Sequence, residues 1–506
     1  MLSRPLRWLA AAGILARTAV AALPPVDFDD NNSIAAAAKL VAEDMLSFYP
    51  RYASDPPGWT LGILPGPPPP KAAGEQQMPG MYYWWHGGAM WGTLIDYRHR
   101  FGDKSFDKYI TESLLHQTGK NNDFNPANWS LSMGNDDQAF WAMAALGAAE
   151  TGYPDPPEDQ PQWLALAQGT LHSQINPQRR IVDQSNPCNW GLRWQVFPQN
   201  NGYDYVNTIS NGCFMNMAAR TGRYTGNKTY LDLAERTYDL LKELKYIDEN
   251  FEVHDGGHEK KQCKDINKLT FSYNAAILMQ SCAYMYNVTN GGEKWKREID
   301  GLLDRTIKSF FTNSSDPTAP HIAFERNCEY SSLPAEPCNN DMRTFKGYLH
   351  RWMASTMKMA PYTESIIMPV LRESARAALK TCTHGPNGRL CGFYWREGAF
   401  RTTAPVGQFP DTASMGEQMN VLGALMSVMK TETYRPPFTN TTGGTSGADY
   451  NAGLAGDEDP RNRLWKPITA ADKAGAGIVT AVLIGAFAST MLWLNWDQMR
   501  GRGFGF

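Results

Sequence analysis

An (α/α)6 toroid, six helical hairpins closed into a ring, is the all-α fold that this sequence predicts. Three observations predict it. About a dozen segments between residues 33 and 430 carry apolar residues at i, i+3, i+4 and i+7. The connections alternate, roughly two to eight residues after the even helices and roughly sixteen to thirty-seven after the odd ones. Strand-like alternation is scarce, and the residue-level repeat that an α-solenoid would carry is not visible. Short links make antiparallel neighbours, so the long loops all emerge at one end and build a binding face there.

Taken in order, residues 1–21 read as a secretory signal peptide. Arg4 and Arg7 form its basic start, Trp8 to Leu15 its apolar stretch, and Ala19-Val20-Ala21 its small-residue cleavage pattern. Residues 22–438 carry the helices. Their starts are expected near Ser33, Gly87, Lys104, Asp136, Gln160, Thr208, Asn227, Phe271, Glu293, Asp341, Tyr362 and Thr412. The stretch from Leu131 to Gly152 is the clearest, because Phe140, Met143, Ala144, Gly147 and Ala148 form one stripe. Residues 439–473 begin rich in Gly, Ser, Thr and Asn, follow no helical or strand period, and read as a linker. Residues 474–506 open on an apolar run, Ala474 to Leu494, about long enough to span a bilayer. Small residues, a polar spacer and an apolar tail make the pattern of a GPI-anchor signal. Arg500 and Arg502 beyond the run suit instead the cytosolic side of a retained span. On either alternative the body faces outward.

Composition narrows the class. Of 506 residues, 42% are hydrophobic and 20% charged, enough apolar surface for a large core and too much for a disordered chain. A net charge of -3 argues against a cationic face for nucleic acid. Six glycosylation sequons, at Asn31, Asn128, Asn227, Asn287, Asn313 and Asn440, fit an exposed secreted surface. The eight cysteines suit an oxidising compartment. Cys328 with Cys338 and Cys382 with Cys391 are short-range pairs in loop-like sequence, and Cys188 and Cys263 also lie in loops and can pair. Cys213 and Cys282 sit in apolar helical sequence, as buried free thiols do.

The sharpest chemical motif is Gly134-Asn135-Asp136-Asp137-Gln138, which follows a long loop and opens a helix. Adjacent carboxylates push each other's proton affinity up, while a helix N-terminus offsets part of the repulsion. Such a pair can keep one acid ionised and one protonated, the division that glycoside cleavage requires. Helix capping alone also places Asp in a first turn. At the same end stand Tyr82-Tyr83-Trp84-Trp85, Trp129, Trp190, Trp194, Asn207, Asn211, Tyr273-Asn274 and Trp395. Rings stack on sugar C–H faces and amides satisfy sugar hydroxyls. Trp141 and Trp352 lie inside helices and are assigned to packing. His254-Asp255-Gly256-Gly257-His258 is no zinc helix, because its glycines oppose one that would align both imidazoles.

Gly134 to Trp141, together with Tyr83-Trp84-Trp85-His86-Gly87-Gly88-Ala89-Met90-Trp91-Gly92, resembles glycoside hydrolase family 76, in its fungal cell-wall branch of mannan endo-1,6-α-mannosidases. Asn207 to Gly212, Phe271 to Asn274 and Thr344 to Gly347 match as well, over residues 30–430 in all. The resemblance implies the same (α/α)6 fold and a retaining mechanism with Asp136 as nucleophile and Asp137 as general acid/base. Nothing in this sequence by itself separates those two roles. The candidate substrate-binding residues are Trp84, Trp85, Asn135, Gln138, Trp190, Asn207, Asn211, Tyr273, Asn274 and Lys346. Neither cofactor nor metal is expected. The implied donor is α-1,6-mannan or the GPI-core glycan, and the implied acceptor is water or wall β-glucan. The implied place of action is the outer leaflet of the plasma membrane and the cell wall. Two alternatives stay open, a non-catalytic mannan-binding lectin and a plain secreted mannan hydrolase.

Overall fold

The computed structural model describes residues 22–70, 75, 76, 78, 80–311, 318–329, 337–405, 408–454 and 470–500. The signal-peptide reading and the sequon at Asn313 therefore fall outside the described residues. The chain divides into two compact units, Met1–Leu454 and Ala455–Phe506.

The first unit is built from α1 (Asn31–Leu46), α2 (Trp85–Phe101), α3 (Asp107–His116), α4 (Asn135–Thr151), α5 (Trp163–Ile175), α6 (Thr208–Thr225), α7 (Lys228–Glu243), α8 (Ser272–Val288), α9 (Glu293–Phe310), α10 (Phe345–Met359), α11 (Glu364–Lys380) and α12 (Met415–Ser427). A single-turn helix, Pro50–Ala53, follows α1. The expected starts lie within four residues of these, the largest miss being Asp341, where a 3-10 turn, Met342–Thr344, precedes α10.

The even helices form the inner ring. Each of α2, α4, α6, α8, α10 and α12 packs on the next, and α12 returns to α2. The odd helices lie outside, α1 against α12 and the others against the inner helix before them in the chain. Burial follows this division. In α4 every residue except Asp137 and Thr151 is buried, so it is buried all round rather than on one stripe. In α9 the buried side chains include Trp295, Ile299, Leu302, Leu303, Thr306 and Phe310, the one-sided spacing of an outer helix. Close approach in the inner ring requires glycine. A Cβ on Gly88 would stand 2.7 Å from the indole of Trp141.

Asn207 and Ser414 cap α6 and α12 with their side chains, and left-handed Gly102, Gly152 and Gly226 end α2, α4 and α6. Helical polarity places the six inner N-termini together at the long-loop end. A two-stranded antiparallel ribbon, β1 (Tyr205–Asn207) and β2 (Gly256–His258), joins two of those loops there. The ring centre is closed by Phe140, Tyr348 and Trp352, with centroids 5.2 Å apart for the first two and 4.9 Å for the last two. Toward the opposite end lies a cavity of about 90 Å³, whose walls include the ion pairs Arg351–Asp96 and Arg220–Glu150.

The cysteines form three bridges, Cys188–Cys263, Cys328–Cys338 and Cys382–Cys391, and leave Cys213 and Cys282 free and buried. The linker reading needs a correction at its start. Residues 439–454 belong to the first unit and strap across it. Asn440 N–H donates to Tyr224 O, Gly453 N–H to Asn121 O, and the Ser446 hydroxyl accepts from Leu164 N–H. Polar, aperiodic sequence marks the absence of helix, not the absence of packing. In the second unit the described helix is Ala470–Arg500, and within it Lys473–Met491 is long and apolar enough to cross a membrane.

Candidate active site

The N-terminus of α4 is fixed before its acids are placed. Asn135 N–H donates to Trp194 O at 2.7 Å, its amide donates to Arg193 O at 2.8 Å, and its Oδ1 accepts from Arg179 at 2.7 Å. Asp137 Oδ2 then accepts from Gly134 N–H at 2.8 Å, and Asp136 Oδ1 from Asp137 N–H at 3.1 Å. Gly134 is required here, because a Cβ would lie 2.1 Å from Asp136 Oδ1.

Both aspartates line a cavity of about 280 Å³ at the long-loop end. Its other walls come largely from the starts of the inner helices: Trp85 of α2, Asn207 and Ile209 at α6, Phe271 and Tyr273 at α8, and Phe345 of α10. Tyr273 and Phe345 stack at 3.7 Å. Trp194, Tyr205 and Asp255 come from the ribbon and its approaches, Asn339 and Asp341 from the turn before α10. Thus four carboxylates and an aromatic lining face one hollow, and no Lys or Arg is among the described residues that line it.

Uncompensated, these acids hold their protons. Burial first, and Asp137 second, raise Asp136 well above the usual carboxylate range. Burial pushes Asp137 up to about 6 against the stabilising Gly134 N–H. Asp341 rises to about 7 through burial and then the Asp137 charge, with the Trp85 indole opposing. Burial also raises Asp255, opposed by hydrogen bonds from Tyr205 and Asn274. Neighbouring carboxylates cannot both ionise freely, so the Asp136/Asp137 pair titrates as a unit that retains one proton into the mildly acidic range.

Of the residues expected to hold substrate, Trp85, Asn207 and Tyr273 line the cavity. The others stand behind it. Trp84 stacks between Trp129 and Trp141 and donates to Gln117. Asn135 is spent on the helix start, and Gln138 is buried against Ser173. Asn211 bridges Leu192 and the Asn207 carbonyl, while Asn274 is buried beside Asp255. Lys346 is a fully buried partner of Glu329 at 2.6 Å. Trp190 is placed away from the cavity, its two cation contacts being Arg180 at 3.9 Å and Arg236 at 4.0 Å. Trp395 is buried against His350. These corrections share one cause, because short sequence stretches do not say which side of a buried helix faces the hollow. Asp341, Asp255, Tyr205 and Asn339 were missed as site residues. Asp341 had a usable signal, since like Asp136 it lies where a long loop enters an inner helix. His254 and His258 serve Asp248 and Asp265 respectively.

Two of the sequons hydrogen-bond through the side-chain oxygen rather than the glycan-bearing nitrogen, while the Asn440 amide donates to Thr225 O at 3.4 Å. At Asn227 and Asn287 the side-chain Oδ1 is occupied, by Thr229 N–H and by Arg223, and the amide nitrogen is not used in those contacts. Asn128 and Asn440 are exposed, and Asn31 opens α1 half-buried.

A ring of helical hairpins with a carboxylate pair and aromatic walls at its long-loop end is the architecture of a glycosidase. The chain belongs to glycosyl hydrolase family 76, whose profile matches residues 33–441. It is 36% identical to the mannan endo-1,6-alpha-mannosidase DCW1 of Candida glabrata, over 93% of this chain and 95% of that one. Identity to the mannan endo-1,6-alpha-mannosidase DFG5 of Saccharomyces cerevisiae is 34%, with 93% of each chain covered. The crystal structure of Dfg5 from Chaetomium thermophilum in complex with glucosamine is 44% identical, with a TM-score of 0.75 over 85% of this chain and 98% of that one. The alpha-1,6-mannanase GH76A of Salegentibacter, 16% identical with a TM-score of 0.56 over 78% of this chain and 98% of that one, shares the fold.

Proposed function

We propose that this chain cleaves α-1,6-linked mannosides with retention of configuration, and that Asp136 and Asp137 carry the reaction. The observation that carries the reading is the Asp136/Asp137 pair itself, one buried and one half-buried acid in one sugar-sized hollow that hold a proton between them. Asp137, protonated, donates to the glycosidic oxygen as the bond to the anomeric carbon breaks. Asp136 attacks that carbon and forms a β-mannosyl ester. Asp137, now a carboxylate, takes the proton of the incoming hydroxyl and the ester is displaced. Water as acceptor gives hydrolysis, and a β-glucan hydroxyl gives transfer.

The relatives named mannan endo-1,6-alpha-mannosidase support α-1,6-mannan as donor. The GPI-core glycan offers the same mannoside chemistry. The apolar ends and the sequons support delivery to the cell surface, with the C-terminal segment as membrane anchor and the wall as the place of action.

The test incubates the purified protein with α-1,6-mannotetraose and follows the products by NMR. Release of α-configured product sustains the reading, and β product overturns the retaining route. A parallel incubation with GPI-core glycan and labelled β-glucan oligosaccharide, read by mass spectrometry, checks transfer through the mass of the joined product.

A further inference from the structure

Asp341 is one of the two cavity carboxylates, with Asp255, that the two-acid scheme leaves unused. It enters from the turn before α10, and α10 stands across the ring from α4. It therefore faces the pair from the opposite wall of the same cavity. One neutral group of α2 holds it and a second lies beside it. Trp85 Nε1–H donates to its Oδ1 at 3.2 Å, and His86 Nε2 lies 3.4 Å from the same oxygen. His86 Nδ1 accepts from Tyr83 N–H, which puts the ring proton on Nε2, and complete burial keeps the imidazole neutral. One oxygen of Asp341 is thus fixed by the Trp85 indole, and the imidazole beside it brings no positive charge.

The groups that face it are of one kind. From α4 come Asp136 and Asp137, from α8 the Tyr273 phenol, from α10 the Tyr348 phenol, and beside β2 Asp255 lines the same cavity. From α2 comes only the neutral His86. Arg343, two residues on, hydrogen-bonds to Asn340. Among the described residues that line the hollow no Lys or Arg stands between these acids, so the charge of any one that ionises acts on the others.

We propose that Asp341 is a positioning residue for the glycosidic reaction, a further carboxylate of the same cavity that titrates together with the Asp136/Asp137 pair and so keeps a proton on that pair to higher pH. It rests on the reading of that pair as the acid and nucleophile. Three mutually repelling acids release their last proton at higher pH than two do. Asp341 therefore extends toward neutrality the range over which Asp137 is ready to donate.

The experiment records kcat and KM against pH on α-1,6-mannotetraose for the wild type, Asp341→Asn and Asp341→Glu, with Tm for each. In Asp341→Asn the alkaline limb of kcat/KM should move to lower pH by about one unit, with KM changed by no more than about twofold. Asp341→Glu should restore the limb. An unmoved limb overturns the proposal, whether KM rises, which would make Asp341 an acceptor for a sugar hydroxyl, or stays the same. Should Asp341→Asn fail to fold, ¹³Cγ-aspartate titration of the wild type decides. Asp341 and the pair must then move together in shared steps, and independent single-step curves overturn the proposal. A wild type without glycosidase activity, or full activity in Asp137→Asn, overturns instead the reading of the pair and the proposal with it.

Discussion

Gly134 shows how narrow the tolerances of the pair are. Gly134→Ala puts a methyl 2.1 Å from Asp136 Oδ1, so the carboxylate must turn away. We expect kcat to fall about 10²-fold with Tm nearly unchanged, because misplacing a reacting group by an ångström has that effect. Asp136→Asn and Asp137→Asn should each lower kcat by about 10²- to 10⁴-fold, read as released reducing ends. Wild-type activity should decline as the pH rises beyond the mildly acidic range, where the Asp136/Asp137 pair gives up its shared proton. Stability carries the opposite imprint of the same burial. Asp341 is raised from its ordinary value to about 7, so the native state binds its proton more tightly than the unfolded chain does. Its contribution is favourable below the ordinary value near 4 and is lost as pH rises toward 7. Asp341→Asn should therefore raise Tm at pH 7.5 by several degrees and leave it nearly unchanged at pH 4, measured by calorimetry. Asp136 and Asp137 were legible from sequence because adjacent acids at a helix start are a local pattern. Asp341 and Asp255 were not, because their meaning comes from partners more than a hundred residues away.

At the scale of elements, the site is made by loops pinned to an unyielding ring. The Cys328–Cys338 bridge sits with Phe393 and Tyr394 and packs on Met342, which itself lines the cavity. Asn340 ties the same turn to Met78 O and Met81 O ahead of α2. Cys328→Ser with Cys338→Ser should therefore weaken mannotetraose hydrolysis through kcat while most of the ring keeps its hydrogen-exchange protection. The inner helices allow less. Gly88→Ala meets the Trp141 indole and backbone at under 3 Å and should destabilise by about 1–3 kcal/mol in denaturant unfolding, with no part of the cavity touched. The helices were legible through their 3.6-residue period and the alternation of their links. The β1–β2 ribbon was not, because three-residue strands carry too little alternation to register.

For the whole molecule, the inner N-termini gather at one end and bring their partial positive charge to a hollow lined by acids. That arrangement lets carboxylates crowd together with no Lys or Arg among the described residues that line the hollow. The sequence alone determined the ring, the carboxylate pair, the cysteine pairs and the apolar tail, because each is written in spacing along the chain. Tertiary structure decided which aromatic and amide residues face the hollow, that Trp190, Lys346 and Gln138 do not, that Asp341 does, and that residues 439–454 pack on the ring. The physical reason is that an inner helix is buried on every side. Its period says that it is inside but not which side looks into the cavity, and that choice is made only when the other five inner helices close the ring.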